Sequence, residues 1–225
     1  MLNLRKTTLQ GGFFVSGEQV TLDPKGSSIN DMVIYLDLPL RSLNPMGAWT
    51  AFEVDGQTYD LSHFDNFVFN HTRAATGAHP AKTVRFLVSF GHHCFTSHIG
   101  DDDKWLYPHV GGKPRYFCPV RSELSREIPR ILQALAATNP YLKKTFVQHR
   151  EEFFHLEHNV NGIDYRLFIE ITKVNKPFAD IRLKIASAYP EEHYAKPVGY
   201  TDTFSFWRVV DARLDGTALP TRKRR

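Results

Sequence analysis

The chain has 225 residues, 42% apolar and 23% charged, enough for a buried core without disulfide or metal staples, which excludes a disordered, collagenous or coiled-coil protein. Its formal net charge of +4 comes from the C-terminus: 28 basic residues less Arg222, Lys223, Arg224 and Arg225 leave 24, against 24 acidic ones. The body is therefore formally neutral, and the basic tail is expected to add a weak, salt-sensitive attraction to phosphates without defining a binding face.

No apolar stretch approaches the roughly 20 residues needed to cross a bilayer, so no membrane partner is expected. Residues 1–21 do not read as a secretory leader, because Lys, Gln, Gly and Glu interrupt any apolar run. Cys94 and Cys118 make no disulfide framework and suit a reducing cytoplasm, which is the expected location.

From residue 3 to about 96 the pattern is short strand-like runs broken by turn residues: GGFFV, QVTLD, DMVIYLDL, WTAFEVDGQTYDL and TVRFLVSF. Asp55-Gly56 in the fourth run is a two-residue hairpin signal, because this pair adopts the left-handed angles of a type I′ turn. NHTRAATGAHPAK (residues 70–82) and GDDDKWLYPHVGGKP (100–114) read as loops. In SELSREIPRILQALAATNP, Ile128, Ile131, Leu132, Leu135 and Ala136 form one helical stripe. Ser125 is the favoured cap over Ser122, since it keeps Pro129 in the first turn, and Asn139-Pro140 ends the helix.

YLKKTFVQHREEFFHLEH fits either a helix or a strand. YRLFIEIT (165–172) and IRLKIASA (181–188) alternate cleanly, with Arg166 and Glu170 opposite the apolar face of one and Arg182 and Lys184 opposite that of the other. FSFWRVV (204–210) is a further strand candidate. The expected fold class is α+β, antiparallel sheets with few helices. A β-rich part (1–120) packs on a helix-plus-antiparallel-sheet part (121–218), followed by a basic tail (219–225), or the whole forms one continuous domain.

FGHHCFTSH (90–98) carries the densest chemistry. If the strand before it runs on, His92, Cys94, Thr96 and His98 share the face of Val84, Phe86, Val88 and Phe90, and a rigid element aims polar groups at its open end. A histidine there titrates near neutral pH and can serve as general base or acid. The plainer alternative is solvated histidines and a small buried cysteine. A zinc site built from His92, Cys94, His98 and Cys118 is the third reading. It lacks Cys-x-x-Cys or His-x-x-x-His spacing, and His-x-Cys along a strand separates side chains by about 7 Å. No Gly-x-Ser-x-Gly elbow supports a hydrolase triad, and the Gly11-Gly12 and Gly111-Gly112 pairs do not open a phosphate-cradling loop. Phe153, Phe154 and Phe168 are candidate stacking platforms for single-stranded nucleic acid, although core packing is the commoner use of phenylalanine.

REIPRILQALAATNPYLKKTFVQHREEFFHLEHNVNGIDYRLFIEITKVNKPFADIRLKIASAYPEE, with its helix, antiparallel sheet and terminal Ser187-Ala188-Tyr189, resembles the metal-independent ribonuclease superfamily of barnase, EndoU, colicin-type and RelE-type toxins. The whole chain also resembles uncharacterised bacterial and prophage proteins with a His-Cys-Phe-Thr stretch (93–96 here), a Glu-Leu-Ser segment (123–125) and Ser-Ala-Tyr (187–189). The resemblance implies an endoribonuclease without cofactor, a prophage- or defence-associated toxin, with RNA and a cognate antitoxin or other protein as partners. Such chemistry needs a base for the 2′-hydroxyl proton, cations for the phosphorane and an acid for the leaving oxygen. The catalytic candidates are His92, His93, His98, Arg166, Arg182, Lys184 and Tyr189; the substrate-binding candidates are Thr96, Arg115, Arg121 and Ser187. The competing explanation of the hairpin cations is pairing with Glu170. The competing functions are a non-catalytic accessory or binding protein of a mobile element and a small zinc-binding protein.

Overall fold

Asp55 and Gly56 take φ of 50° and 74° and turn β1 (Phe52–Val54) back onto β2 (Gln57–Tyr59), the hairpin the Asp-Gly pair predicts. The structure, a computed structural model, describes residues 49–77, 80–100, 102–108, 113–145, 152–191 and 198–220. The runs GGFFV, QVTLD and DMVIYLDL, both glycine pairs and the basic residues 222–225 lie outside them.

Among the described residues one seven-stranded sheet dominates, in the order β11-β7-β8-β9-β10-β4-β3. Its strands are β3 (Phe67–Arg73), β4 (Lys82–His93), β7 (Tyr141–Thr145), β8 (Phe154–Val160), β9 (Ile163–Lys176), β10 (Ala179–Pro190) and β11 (Tyr200–Ser205). All neighbours are antiparallel except β4 and β10, which run parallel. Strands from both sides of residue 120 therefore share one sheet. The short pair β5 (Thr96–Ser97) and β6 (Tyr116–Phe117) extends the chain beyond β4. Three helices, α1 (Pro119–Ser125), α2 (Ile128–Thr138) and α3 (Phe206–Asp215), complete an α+β fold.

One sheet face is apolar and covered: Val84, Phe86 and Val88 of β4, Leu167, Ile169 and Ile171 of β9, and Ile181, Leu183 and Ile185 of β10 are all buried. Phe206 and Trp207 of α3 lie with ring centroids 5.8 and 6.0 Å from that of Phe86, and Trp207 Nε1 donates to the Ala136 carbonyl of α2. Asn139, at φ 50°, ends α2 and accepts the Trp207 N–H, so the residue that stops one helix starts the other.

Several local expectations change. The segment 70–82 is not a single loop, because Asn70 to Arg73 complete β3 and Lys82 begins β4. The alternation FVFNHTR is masked in sequence by its polar second half. Pro119 starts a separate helix, α1, and the long helix begins at Ile128 behind Glu127 rather than Ser125, still with Pro129 in its first turn. The segment 141–158 resolves to strands at both described ends, β7 and β8, and Asn161-Gly162, at φ 51° and 85°, turns β8 into β9. FSFWRVV is split: Phe204 and Ser205 end β11, while Phe206, Val209 and Val210 bury one helical stripe of α3. A Gly216 cap at φ 68° closes that helix.

Candidate functional site

The second sheet face carries the polar set. The β9–β10 register puts Lys184 opposite Glu170 and Arg182 opposite Thr172; Ala186 is bulged, so that Ser187 pairs with Phe168 and Tyr189 with Arg166. On the other side of β10 the parallel ladder matches Lys184 with Ser89 and Ser187 with His93. His93 from the first half of the chain thus meets the Ser-Ala-Tyr signature from the second at the shared carboxyl ends of β4 and β10.

Gly91 permits this meeting. A Cβ there would stand 2.9 Å from the Ala186 carbonyl oxygen, inside contact distance, so the bulge and β4 approach as they do because residue 91 has no side chain. The alternation does not continue through 98. Cys94 N–H bonds to the Gly91 carbonyl and Phe95 N–H to the His92 carbonyl, so the strand closes into a tight turn after His93. Cys94 and Phe95 are both fully buried, and His92, Cys94, Thr96 and His98 do not form one strand face. His92 and His93 stay adjacent, ring centroids 4.4 Å apart.

Thr96 is the knot of the loop that follows. Its hydroxyl donates to the His92 carbonyl at 2.8 Å and accepts from Arg115 Nε at 3.2 Å, while its carbonyl accepts from Arg115 Nη2 and Arg121 Nη1 at 2.8 and 2.7 Å. The Arg121 guanidinium carbon then lies 5.0 Å from the centre of the Tyr189 ring. Behind the loop, Phe95 packs against Trp49, Phe64 and Tyr107, an aromatic wall that fixes the turn from the core side. Burial and the neighbouring Arg121 charge hold the Arg115 guanidinium below its ordinary range.

The predicted residues therefore divide. His92, His93, Thr96, Arg115, Arg121, Ser187 and Tyr189 gather at the paired strand ends, with Arg166 one ladder step away opposite Tyr189. Arg182 and Lys184 stay higher on β10, drawn to Glu170 at 3.4 and 3.1 Å. His98 is exposed past β5, and no hydrogen bond among the described residues ties it to the cluster. Tyr189 lies within β10 rather than past its end.

Two residues enter the picture that the sequence did not single out as chemistry. His155 of β8 is 1% exposed and stacks on Phe168 at 4.9 Å and 24°, and Phe168 stacks on Tyr189 at 5.7 Å and 18°. A row of rings thus crosses three strands and ends under Arg121. Burial, aided by the Lys143 and Arg166 charges, pushes the His155 imidazole down to about 4 against the pull of Glu157. Glu157 is itself held below its usual range by its hydrogen bond from Lys143 at 2.8 Å. His155 was hidden by the helix-or-strand ambiguity of its segment; once β8 is a strand, period two places it with Glu157 opposite Phe154 and Leu156. Of the three phenylalanines considered for stacking, Phe154 is core and Phe168 lies half-buried on the polar face.

The zinc ligand set does not assemble. Cys94 donates its thiol to the Ile185 carbonyl at 3.4 Å, and burial pushes that thiol up to about 12, which opposes the thiolate zinc requires. Among the described residues no three His, Cys, Asp or Glu side chains are grouped to hold a metal ion. No helix among them is long and apolar enough to cross a membrane. A surface cavity of about 530 Å³ lies elsewhere, along α3 between Arg73, Trp207, Arg208, Asp211 and Asp215, and takes no part in the cluster.

No curated protein and no solved structure matches the chain. A family model does match residues 51–214, a span that takes in every residue of this cluster, and on it the chain belongs to the YjaZ family.

Proposed function

We propose that the chain is a metal-independent endoribonuclease of the cytoplasm, a toxin of prophage or defence type, working at the paired ends of β4 and β10. One observation carries the reading: His93 is the ladder partner of Ser187, two residues from Tyr189, whose ring lies beneath the Arg121 guanidinium. Imidazole, hydroxyl, phenol and guanidinium groups from distant parts of the chain converge there, as cleavage of a phosphodiester by its own 2′-hydroxyl requires.

In this reading His93 takes the 2′-hydroxyl proton as that oxygen attacks phosphorus. Arg121 and Arg115 face the charge that develops on the phosphorane. The bond from phosphorus to the 5′-oxygen breaks as His92 gives that oxygen a proton, leaving a 2′,3′-cyclic phosphate. The stacked Phe168 and Tyr189 rings form the platform that holds the Arg121 guanidinium at the site. Purified protein is expected to cleave RNA in EDTA and to arrest growth when expressed, with both effects lost in His93→Ala. Intact RNA with the unaltered chain overturns the reading.

A second reading, a non-catalytic binding protein of a mobile element, is favoured by where the cations spend their hydrogen bonds. Arg115 and Arg121 both bond the Thr96 carbonyl, Arg166 bonds Glu191, and Arg182 and Lys184 meet Glu170. It predicts RNA or protein binding without cleavage, and expression without growth arrest.

A further inference from the structure

Two side chains on the polar sheet face, each more than nine-tenths buried, hold more polar atoms than their hydrogen bonds account for. Arg166 is 6% exposed; its Nη2 meets the Glu191 carboxylate, while Nε and Nη1 are buried with no hydrogen-bond partner among the described residues. His155 is 1% exposed, and neither ring nitrogen has a hydrogen-bond partner among the described residues. Its nearest acid, Glu157 Oε1, stands 4.0 Å from Nε2, beyond hydrogen-bond range. Buried donors of this kind are uncommon in folded proteins, and a bound oxygen-bearing group is one way to satisfy them.

The two residues are neighbours. His155 pairs with Phe168 and Arg166 with Glu157 across the β8–β9 ladder, so they lie diagonally on one face, two residues apart in register. Arg166 in turn pairs with Tyr189 on β10. The guanidinium offers a planar fork suited to two oxygens of one group, and a neutral imidazole adds a single donor. Glu191 already shows which chemistry the guanidinium accepts, since its carboxylate oxygen meets Nη2, the nitrogen shared by both forks. Half-exposed Glu191 and Glu157 flank the spot.

We propose that Arg166 and His155 form an oxyanion subsite that holds a phosphate of the bound strand beside the cleaved one, with Glu191 as the internal carboxylate that this phosphate displaces. The identity of the ligand rests on the ribonuclease reading; the oxyanion site itself does not. The ring row fits the role, because Phe168, stacked between His155 and Tyr189, joins the subsite to the strand ends where Ser187 pairs with His93.

The test titrates the full chain with inorganic phosphate and, separately, with acetate, following the His155 ring signals by NMR. Phosphate is expected to shift them saturably. Glu191→Gln is expected to tighten phosphate binding about tenfold by removing the internal competitor, and Arg166→Lys to weaken it about tenfold by replacing the fork with a point charge. Since Arg166→Lys alters a buried group and can unfold the chain, Glu191→Gln carries the test alone if it must: unchanged phosphate affinity in that variant overturns the subsite. Acetate binding more tightly than phosphate overturns the phosphate assignment and points to a peptide carboxylate. Saturable phosphate binding with RNA left intact sinks the nuclease reading and keeps the subsite. RNA cleavage that survives Arg166→Lys with KM unchanged sinks the subsite and keeps the nuclease.

Discussion

His93 stands opposite Ser187 in the parallel β4–β10 ladder, and this pairing joins the two halves of the chain at one point. The proposed base is presented by a strand end rather than a free loop, so its position is set by the backbone. His93→Ala is expected to lower RNA cleavage by about 10²- to 10⁴-fold, the range of a lost general base, with the fold unchanged by circular dichroism. Activity within threefold of the unaltered chain would remove His93 from the reaction.

Arg182 has a different fate. It lies on the polar face, but Glu170 takes it at 3.4 Å and Lys184 takes the other Glu170 oxygen at 3.1 Å. Arg182→Ala leaves Lys184 to hold that carboxylate, so the expected loss of stability is under about 1 kcal/mol. Urea unfolding measures it, and the same variant should cleave RNA far better than His93→Ala; equal loss in both would mean that Arg182 reaches the phosphate after all.

Gly91 is a packing prediction. Any Cβ at this position meets the Ala186 carbonyl oxygen at 2.9 Å, and its nearest neighbours are backbone atoms of Ala186 and Ile185 with no flexible side chain to yield. Gly91→Ala should cost about 1–3 kcal/mol through forced separation of β4 from the β10 bulge. A melting temperature equal to that of the unaltered protein would show that the strands give way freely.

The His155 imidazole, near 4 when folded and 6.5 as its ordinary value, makes folding sensitive to pH. The unfolded chain binds the proton first, so stability falls as pH drops below about 6.5 and the loss levels off below about 4. The full span is about 3 kcal/mol. Lys143, Glu157 and Arg166 face the ring, and the depressed Glu157 carboxyl adds its own loss in acid. His155→Phe, which keeps the stack on Phe168, should flatten the stability profile between pH 6.5 and 4; a slope unchanged in that window argues against a neutral buried imidazole.

Thiol chemistry separates the cysteines. Cys94 is buried, bonded to the Ile185 carbonyl and pushed up to about 12, whereas Cys118 is half-buried. Ellman's reagent at pH 8 should therefore titrate one thiol in the folded protein and two in guanidinium chloride. Rapid modification of both in the folded state contradicts the packing of the 94–97 turn.

Short-range pattern carried much of the fold. The Asp55-Gly56 hairpin, the apolar stripe from Ile128 to Ala136 and the alternation on either side of KVNKPFAD depend on neighbours a few residues apart, and each has its expected form. The competing explanation of the hairpin cations, pairing with Glu170, is of this kind as well and holds for Arg182 and Lys184, whereas Arg166 pairs with Glu191. Where local signals competed, the outcome was decided elsewhere: FSFWRVV becomes half strand and half helix because Phe86 and Ala136 offer Phe206 and Trp207 a place to pack.

The amino-acid order alone determined that alternating runs would make an α+β protein and offered most of the candidate polar residues, since both follow from side-chain type and period. Only the tertiary structure decided that β4 lies parallel beside β10, that a bulge at Ala186 aligns Ser187 with His93, and that His155 is buried next to Arg166. Strand partners distant in sequence are chosen by the packing of whole faces, and a one-residue shift of register turns every side chain to the other side, so no local pattern encodes that choice.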